Sequence, residues 1–262
     1  MKNFSLITGS AGLLGEFHAV ALLEIGHDLV ITDLNLNQLK KLEIKLRKKF
    51  IKREIISLKM DVTSEKSIEI VKNKIQSQGG IVNNLINNAA IDAKIKGSKN
   101  RLFENFNIDE WKQEINVGLT GTMLCSKIFG GEMVKKKVSG IITNIASDLS
   151  VIAPNQNLYK IKNQPKFTKP VTYSVIKHGI LGLTKYLASY WGEKKIRVNS
   201  LSPGAVLNDQ SKMLQKNLKR EIPLRRLAKK NEYIGAIQFL SSKNSDYMTG
   251  QNIIIDGGRS IW

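Results

Sequence analysis

Phe4-Ser-Leu-Ile-Thr-Gly-Ser-Ala-Gly-Leu-Leu-Gly15 is the stretch whose reading decides the fold of this 262-residue chain. A short apolar run leads into three glycines and then into the helical pattern Leu13 to Ile25, giving the order strand, turn, helix. Glycines at 9, 12 and 15 permit a tight turn, let the backbone approach a pyrophosphate, and allow the helix to pack closely. The helix start presents N–H donors to phosphate oxygens. A glycine pattern alone is weak, but in this strand-turn-helix setting it predicts a nucleotide site.

Further strands read at Asp28–Thr32, Ile55–Lys59, Asn84–Asn87, Gly140–Ile145, Ile196–Ser200 and Asn252–Ile255. Helical patterns fill the gaps at Leu36 to Phe50, Ser64 to Gln76, Ile108 to Glu132, Thr172 to Trp191 and Asn231 to Ser241. Strand and helix alternating in this way predict an α/β fold with a doubly wound, mostly parallel seven-stranded sheet and helices on both faces, a Rossmann fold. Residues 1–262 are expected to form a single domain. The second strand ends at Asp33, about 20 residues beyond the glycines, where a carboxylate can accept from both hydroxyls of an adenosine ribose and repel a 2′-phosphate. No Arg or Lys in Ser10 to Gly12 or directly after Asp33 would welcome that phosphate, so NAD is expected over NADP. Asp33 could instead simply cap the next helix.

Composition narrows the function. The single Cys125 excludes an internal disulfide and any multi-Cys metal site, and His18, His27 and His178 are not spaced as ligands, so no metal is expected. The N-terminus has no signal-peptide pattern and no run of about 18 apolar residues occurs, which predicts a soluble, cytoplasmic protein without membrane partners. Lys+Arg of 41 against Asp+Glu of 22, a formal charge of +19, would attract polyanions. These cations are scattered and form no recognisable nucleic-acid module, so no nucleic-acid partner is expected. They fit a solvated basic surface or a positive cleft for an anionic substrate.

Tyr173 and Lys177, in Val171-Thr-Tyr-Ser-Val-Ile-Lys-His-Gly179, share one face of a helix. An ammonium beside a phenol, which ordinarily titrates near ~10, favours the phenolate and recruits it as a base. The same spacing also arises by chance in many helices.

With the glycine turn and Asp33, this pair resembles a short-chain dehydrogenase/reductase of the classical type, and the resemblance runs the length of the chain. Asp61-Val62, Asn87-Asn-Ala-Ala90, Asn116-Val-Gly118, Asn144-Ile-Ala-Ser147, Pro203-Gly204 and Gly250-Gln-Asn-Ile-Ile-Ile-Asp-Gly-Gly258 are similar to family motifs in family order. The resemblance implies an NAD(P)-dependent enzyme acting on CH–OH groups. Its catalytic set would be Asn116, Ser147, Tyr173 and Lys177: Tyr173 moves the hydroxyl proton, Lys177 lowers its pKa and holds the nicotinamide ribose, Ser147 donates to the substrate oxygen, and Asn116 positions a relay water. Cofactor contacts would come from Gly9, Ser10, Gly12, Leu13, Leu14, Gly15, Asp33, Asp61, Val62, Asn88, Ala89, Ala90, Tyr173, Lys177, Pro203, Gly204 and Val206. The family also implies a homotetramer or homodimer, with which the apolar Tyr247 to Trp262 tail is compatible.

Several positions depart from the family pattern. Leu13 stands where glycine is commonest, Ala90 replaces a motif glycine, and Asn208 replaces a frequent Thr. Ser147 and Tyr173 lie 26 residues apart, roughly double the usual gap, so an inserted segment, residues 148–170, is expected to shape the substrate pocket. Lys160, Lys162, Lys166 and Lys169 would give it a positive edge suited to phosphate or carboxylate. Ser147 to Pro154, Val171 to His178 and Gly257 to Trp262 together resemble a subgroup linked to flagellin modification and sialic-acid-like sugars. The expected activity is therefore NAD-dependent hydride transfer to or from a secondary alcohol or ketone, on an anionic sugar. A non-catalytic nucleotide sensor or assembly protein, and a sugar epimerase using NAD without net redox, are the alternatives.

Overall fold

A computed structural model describes residues 1–91, 102–159 and 168–262. Its sheet contains β1 (Lys2–Ile7), flanked on one side by β2 (Leu29–Asp33) and β3 (Ile55–Lys59). On the other side lie β4 (Gly80–Asn87), β5 (Gly140–Ile145), β6 (Ile196–Pro203) and β7 (Asn252–Ile255). The strand order is β3-β2-β1-β4-β5-β6-β7, and every neighbouring pair is parallel. Beta-strands β1, β2, β4, β5 and β6 are mostly buried, as a parallel sheet covered on both faces requires, while the outer strands β3 and β7 are partly exposed.

Successive side chains of β1 serve different layers: Phe4 and Leu6 enter one core and Ile7 the other. On the Ile7 face pack α1 (Gly15–Glu24), α2 (Leu36–Lys49) and α9 (Ile234–Leu240), through Leu22, Leu39 and Ile237. The opposite face receives α3 (Glu65–Ser77) and α7 (Val171–Trp191), through Ile68 and Leu187. It also receives a long rod that begins as α4 (Ile108–Ile115) and continues through α5 (Gly121–Cys125) and α6 (Gly131–Lys135). Two π turns, Asn116–Thr120 and Ser126–Gly130, join the rod's parts. Asn35 and Ser64 cap α2 and α3 with side-chain oxygens, each accepting an N–H that a helix start leaves unpaired.

The expected architecture is observed, with local differences. Beta-strand β4 begins four residues before the apolar run suggested, because Lys2 pairs with Gly80 and carries the ladder back to it. The helix α8 (Lys212–Glu221) was not expected from sequence. Its core contact rests on Leu214 and Leu218 amid lysines, too little apolar surface to give a pattern; it docks on Leu158 and Leu227. Strand order reverses between β1 and β4, and in such sheets ligands lie outside the carboxyl ends of the strands at that point.

Candidate active site

The glycine turn lies at this switch point. Gly9 has φ +61°, and a Cβ there would come within 2.8 Å of the Ala89 backbone. Gly15 packs against the Ser10 backbone with no room for a side chain, while Gly12 and Leu13 are exposed at the lip. Leu14, at the start of α1, offers no side-chain cap to the first N–H groups of that helix. Asn88 ties the turn to β4, its amide donating to the Thr8 and Gly9 carbonyls at 3.0 and 2.9 Å. Thr8 Oγ1 in turn accepts from the N–H groups of Asn88 and Ala89 at 3.0 and 2.9 Å.

Ser10 requires a correction. It is fully buried; its N–H donates to the Thr32 carbonyl and its hydroxyl donates to the Ile7 carbonyl and accepts from Thr32 N–H. With its N–H and its hydroxyl hydrogen both donated within β1 and β2, buried Ser10 braces the turn rather than donating to a cofactor phosphate. Asp33, half-buried, accepts from Ala11 N–H at 3.0 Å and from Asn35 N–H at 2.9 Å, which fixes the carboxylate beside the turn. Asp61 accepts from the Thr63 N–H and hydroxyl at 2.9 and 2.7 Å, and buried Val62 packs under Gly121. Ala90 is exposed at the end of β4, whereas Pro203 is buried, half-buried Gly204 donates to Ile255 and buried Val206 bridges to Ala228. Asn208 is exposed, its N–H donating to Gln210 Oε1 at 2.7 Å.

Three of the four expected catalytic residues meet. Tyr173, in the first turn of α7, donates to Ser147 Oγ at 3.2 Å. Lys177 is buried, its ammonium 5.9 Å from the Tyr173 ring centre and donating to the Ile145 carbonyl at 2.8 Å. Ser147 sits just beyond β5 and caps a short turn, Asp148–Ser150, by accepting from Leu149 N–H.

Asn116 does not join them. Glu114 and Gly118, four apart on the rod, both face α7: Glu114 takes a hydrogen bond from the Thr172 hydroxyl, and a Cβ on Gly118 would meet Ile176 at 2.8 Å. Asn116 lies between them in sequence, about 200° around the helix from Gly118, and is exposed. The rod residue that meets α7 at Ile176 is glycine and Asn116 is turned away from that contact, so the expected role of Asn116 is withdrawn.

The inserted segment is described in part. Gln156 clasps its far end, accepting from Lys169 N–H at 2.9 Å and donating to the Lys169 carbonyl at 3.4 Å. The Lys169 ammonium stands 3.8 Å from the centre of the Tyr173 ring. Lys160, Lys162 and Lys166 lie outside the described residues. Sequence reading missed Asp148, which accepts from the Ser147 hydroxyl at 2.9 Å, and Arg259, which pairs with Asp148 at 2.9 Å. Their separation of 111 positions leaves no local pattern.

The family described as enoyl-(acyl carrier protein) reductase matches residues 10–260. A trans-4-hydroxycyclohexanecarboxylate dehydrogenase of Sinomonas cyclohexanicum is 33% identical over 99% of this chain and 93% of its own length. The post-translational flagellin modification protein A of Campylobacter coli is 27% identical over 96% of both chains. A short-chain dehydrogenase from Leptospira borgpetersenii, solved with bound NAD+, superposes with a TM-score of 0.84 at 28% identity, covering 99% of this chain and 93% of the other.

Proposed function

The chain belongs to the short-chain dehydrogenase/reductase family, and from that premise we propose that it is an NAD-dependent oxidoreductase acting on a secondary alcohol or ketone of an anionic, sugar-like substrate. The observation that carries this reading is the contact of the Tyr173 hydroxyl with Ser147, above a Lys177 anchored on β5. Enzymatic hydride transfer at CH–OH groups is the family's chemistry. The side chains supply the rest.

The residues fit a dinucleotide. A turn that a Cβ at Gly9 would fill and the uncapped start of α1 suit a pyrophosphate, with Gly9, Gly12, Leu13, Leu14 and Gly15 around it. Asp33 would take the ribose hydroxyls, Asp61 and Val62 the adenine, and Asn88, Ala89, Ala90, Pro203, Gly204 and Val206 the nicotinamide half. Bound there, the nicotinamide would give or take the hydride. Tyr173 gives a proton to the substrate oxygen during reduction or removes one during oxidation, and the Lys177 ammonium favours the phenolate. Ser147 holds the substrate oxygen where charge develops. A carboxylate at Asp33, held beside the turn by the Ala11 and Asn35 N–H groups, supports NAD over NADP because its charge repels a 2′-phosphate.

Support for an anionic substrate comes from Lys169 over Tyr173 and from a cavity of about 420 Å³ on α8 lined by Lys212, Lys216, Lys219, Arg220 and Arg225. That cavity does not include Tyr173 or Ser147; its contribution is a positive field that draws anions toward the protein. The Sinomonas relative is named for a hydroxylated ring that bears a carboxylate. The test is turnover of carboxylate- and phosphate-bearing ring ketones with NADH, comparing wild type with Tyr173→Phe: a variant that keeps full turnover sinks the assignment.

A further inference from the structure

The Ser147 hydroxyl is shared between a phenol and a carboxylate. It accepts from Tyr173 at 3.2 Å and donates to Asp148 Oδ1 at 2.9 Å. The other oxygen of Asp148 is paired with Arg259 Nη1 at 2.9 Å, and both side chains are about 5% exposed. Arg259 also reaches Glu221 at 3.0 Å. A buried ion pair is costly to desolvate and is weak evidence for stability, which points to a role in specifying arrangement.

The C-terminal turn presents Arg259 inward. Gly257 and Gly258 take φ of +69° and +88°, and Asp256 accepts from the N–H groups of Gly258 and Ser260 at 2.9 and 2.7 Å. Burial opposes the charge of Arg259, but Asp148 and Glu221 beside it hold the guanidinium above its ordinary pKa. The pair is therefore a fixed carboxylate and a fixed cation, in that order outward from Ser147.

Resting on the reading of Tyr173 as the proton-transfer group, we propose that Asp148, held by Arg259, is a positioning residue that sets the direction of the Ser147 hydroxyl and thereby the ionisation of Tyr173. A neutral Tyr173 can donate to Ser147 while the Ser147 hydrogen points at Asp148. A phenolate needs that same hydrogen for itself. The hydroxyl thus has two orientations, and the pull of Asp148, moderated by Arg259, decides between them.

Other charges surround these groups. Lys177 and Lys169 lie beside Tyr173, and Glu114 lies under the neighbouring Thr172. Glu221 is beyond Arg259, while Tyr233 and Asp256 share the surroundings of Asp148. None of these charged groups contacts both Ser147 and the Asp148 carboxylate among the described hydrogen bonds; the Leu149 N–H, which does, is left in place by the three variants below.

The experiment is a pH titration of tyrosinate ultraviolet absorbance, with the Tyr173 signal isolated by subtracting Tyr173→Phe. Asp148→Asn leaves Arg259 paired with Glu221, removes the nearer negative charge and frees the Ser147 hydrogen; the Tyr173 pKa is expected to fall by about half a unit or more. Arg259→Gln strengthens the pull of Asp148 and is expected to raise it by a similar amount, while Arg259→Lys restores the wild-type value. A purely structural pair would not give shifts of opposite sign. An unchanged or raised pKa in Asp148→Asn overturns the proposal, whatever becomes of the Arg259 variants. A wild-type Tyr173 that titrates like an ordinary phenol overturns the catalytic reading instead, so the two failures are distinguishable.

Discussion

Asp33 illustrates how much one carboxylate can decide. It is oriented by Ala11 and Asn35 N–H groups and lies where an adenosine ribose would pass. Asp33→Asn keeps the shape and removes the charge, so the NAD-over-NADP preference is expected to fall about tenfold or more, measured by fluorescence titration with each reduced cofactor. An unchanged preference would show that Asp33 does not read the 2′-position. Residues of this kind were legible because their neighbours in sequence explain them: the glycines need their strand and helix, and Asp33 its strand end. Ser10 was misread for the opposite reason: its place in the turn is local, but its bond to Thr32 depends on how β1 meets β2. Asp148 and Arg259 have no local explanation, because only the folded sheet brings β5 and the chain's last turn together.

At the scale of elements, the joint between the α4 rod and α7 is built in two layers, Glu114 with Thr172 and Gly118 with Ile176. The rod's existence was plain from its apolar residues, but which face meets α7 was not, and a two-residue difference reverses the side of a helix. Asn116→Ala is accordingly expected to change unfolding free energy by no more than about 0.5 kcal/mol and to leave turnover within a factor of about two. Gly118→Ala forces a methyl group against Ile176, one residue from Lys177, at an expected cost of about 1–3 kcal/mol with a larger loss in turnover than in NADH affinity. Urea unfolding and steady-state kinetics on the two variants check this; the reverse order of effects would reinstate Asn116. Alpha-helix α8 escaped the sequence reading because two leucines hold it, and tertiary contact with Leu158 and Leu227 makes up for its weak pattern.

For the whole molecule, the buried His18 on α1 ties stability to pH. Burial pushes its imidazole down to about 4 from an ordinary 6.5. The unfolded chain therefore binds the extra proton first as the solution is acidified, so stability is full above about pH 6.5 and drains as the pH falls to about 4, by about 3 kcal/mol. His18→Leu should lose that limb, seen as a smaller drop in unfolding free energy between neutral and acid pH; an identical drop would place the acid sensitivity elsewhere. We also propose that copies of the chain associate through the free edge of β7 and the exposed Tyr247, Ile254, Ile261 and Trp262. Sedimentation of the wild type should give an oligomer that Tyr247→Glu with Ile254→Lys weakens, and a wild-type monomer at all concentrations would remove the proposal.

The central claim is that Tyr173 moves the proton in an NAD-dependent hydride transfer. Its most direct test is the rate of NADH absorbance change with an anionic ring ketone, wild type against Tyr173→Phe at saturating NADH. Removing only the hydroxyl should lower the rate by about 10²–10⁴-fold while NADH affinity is preserved. Equal rates for the two proteins would contradict the claim.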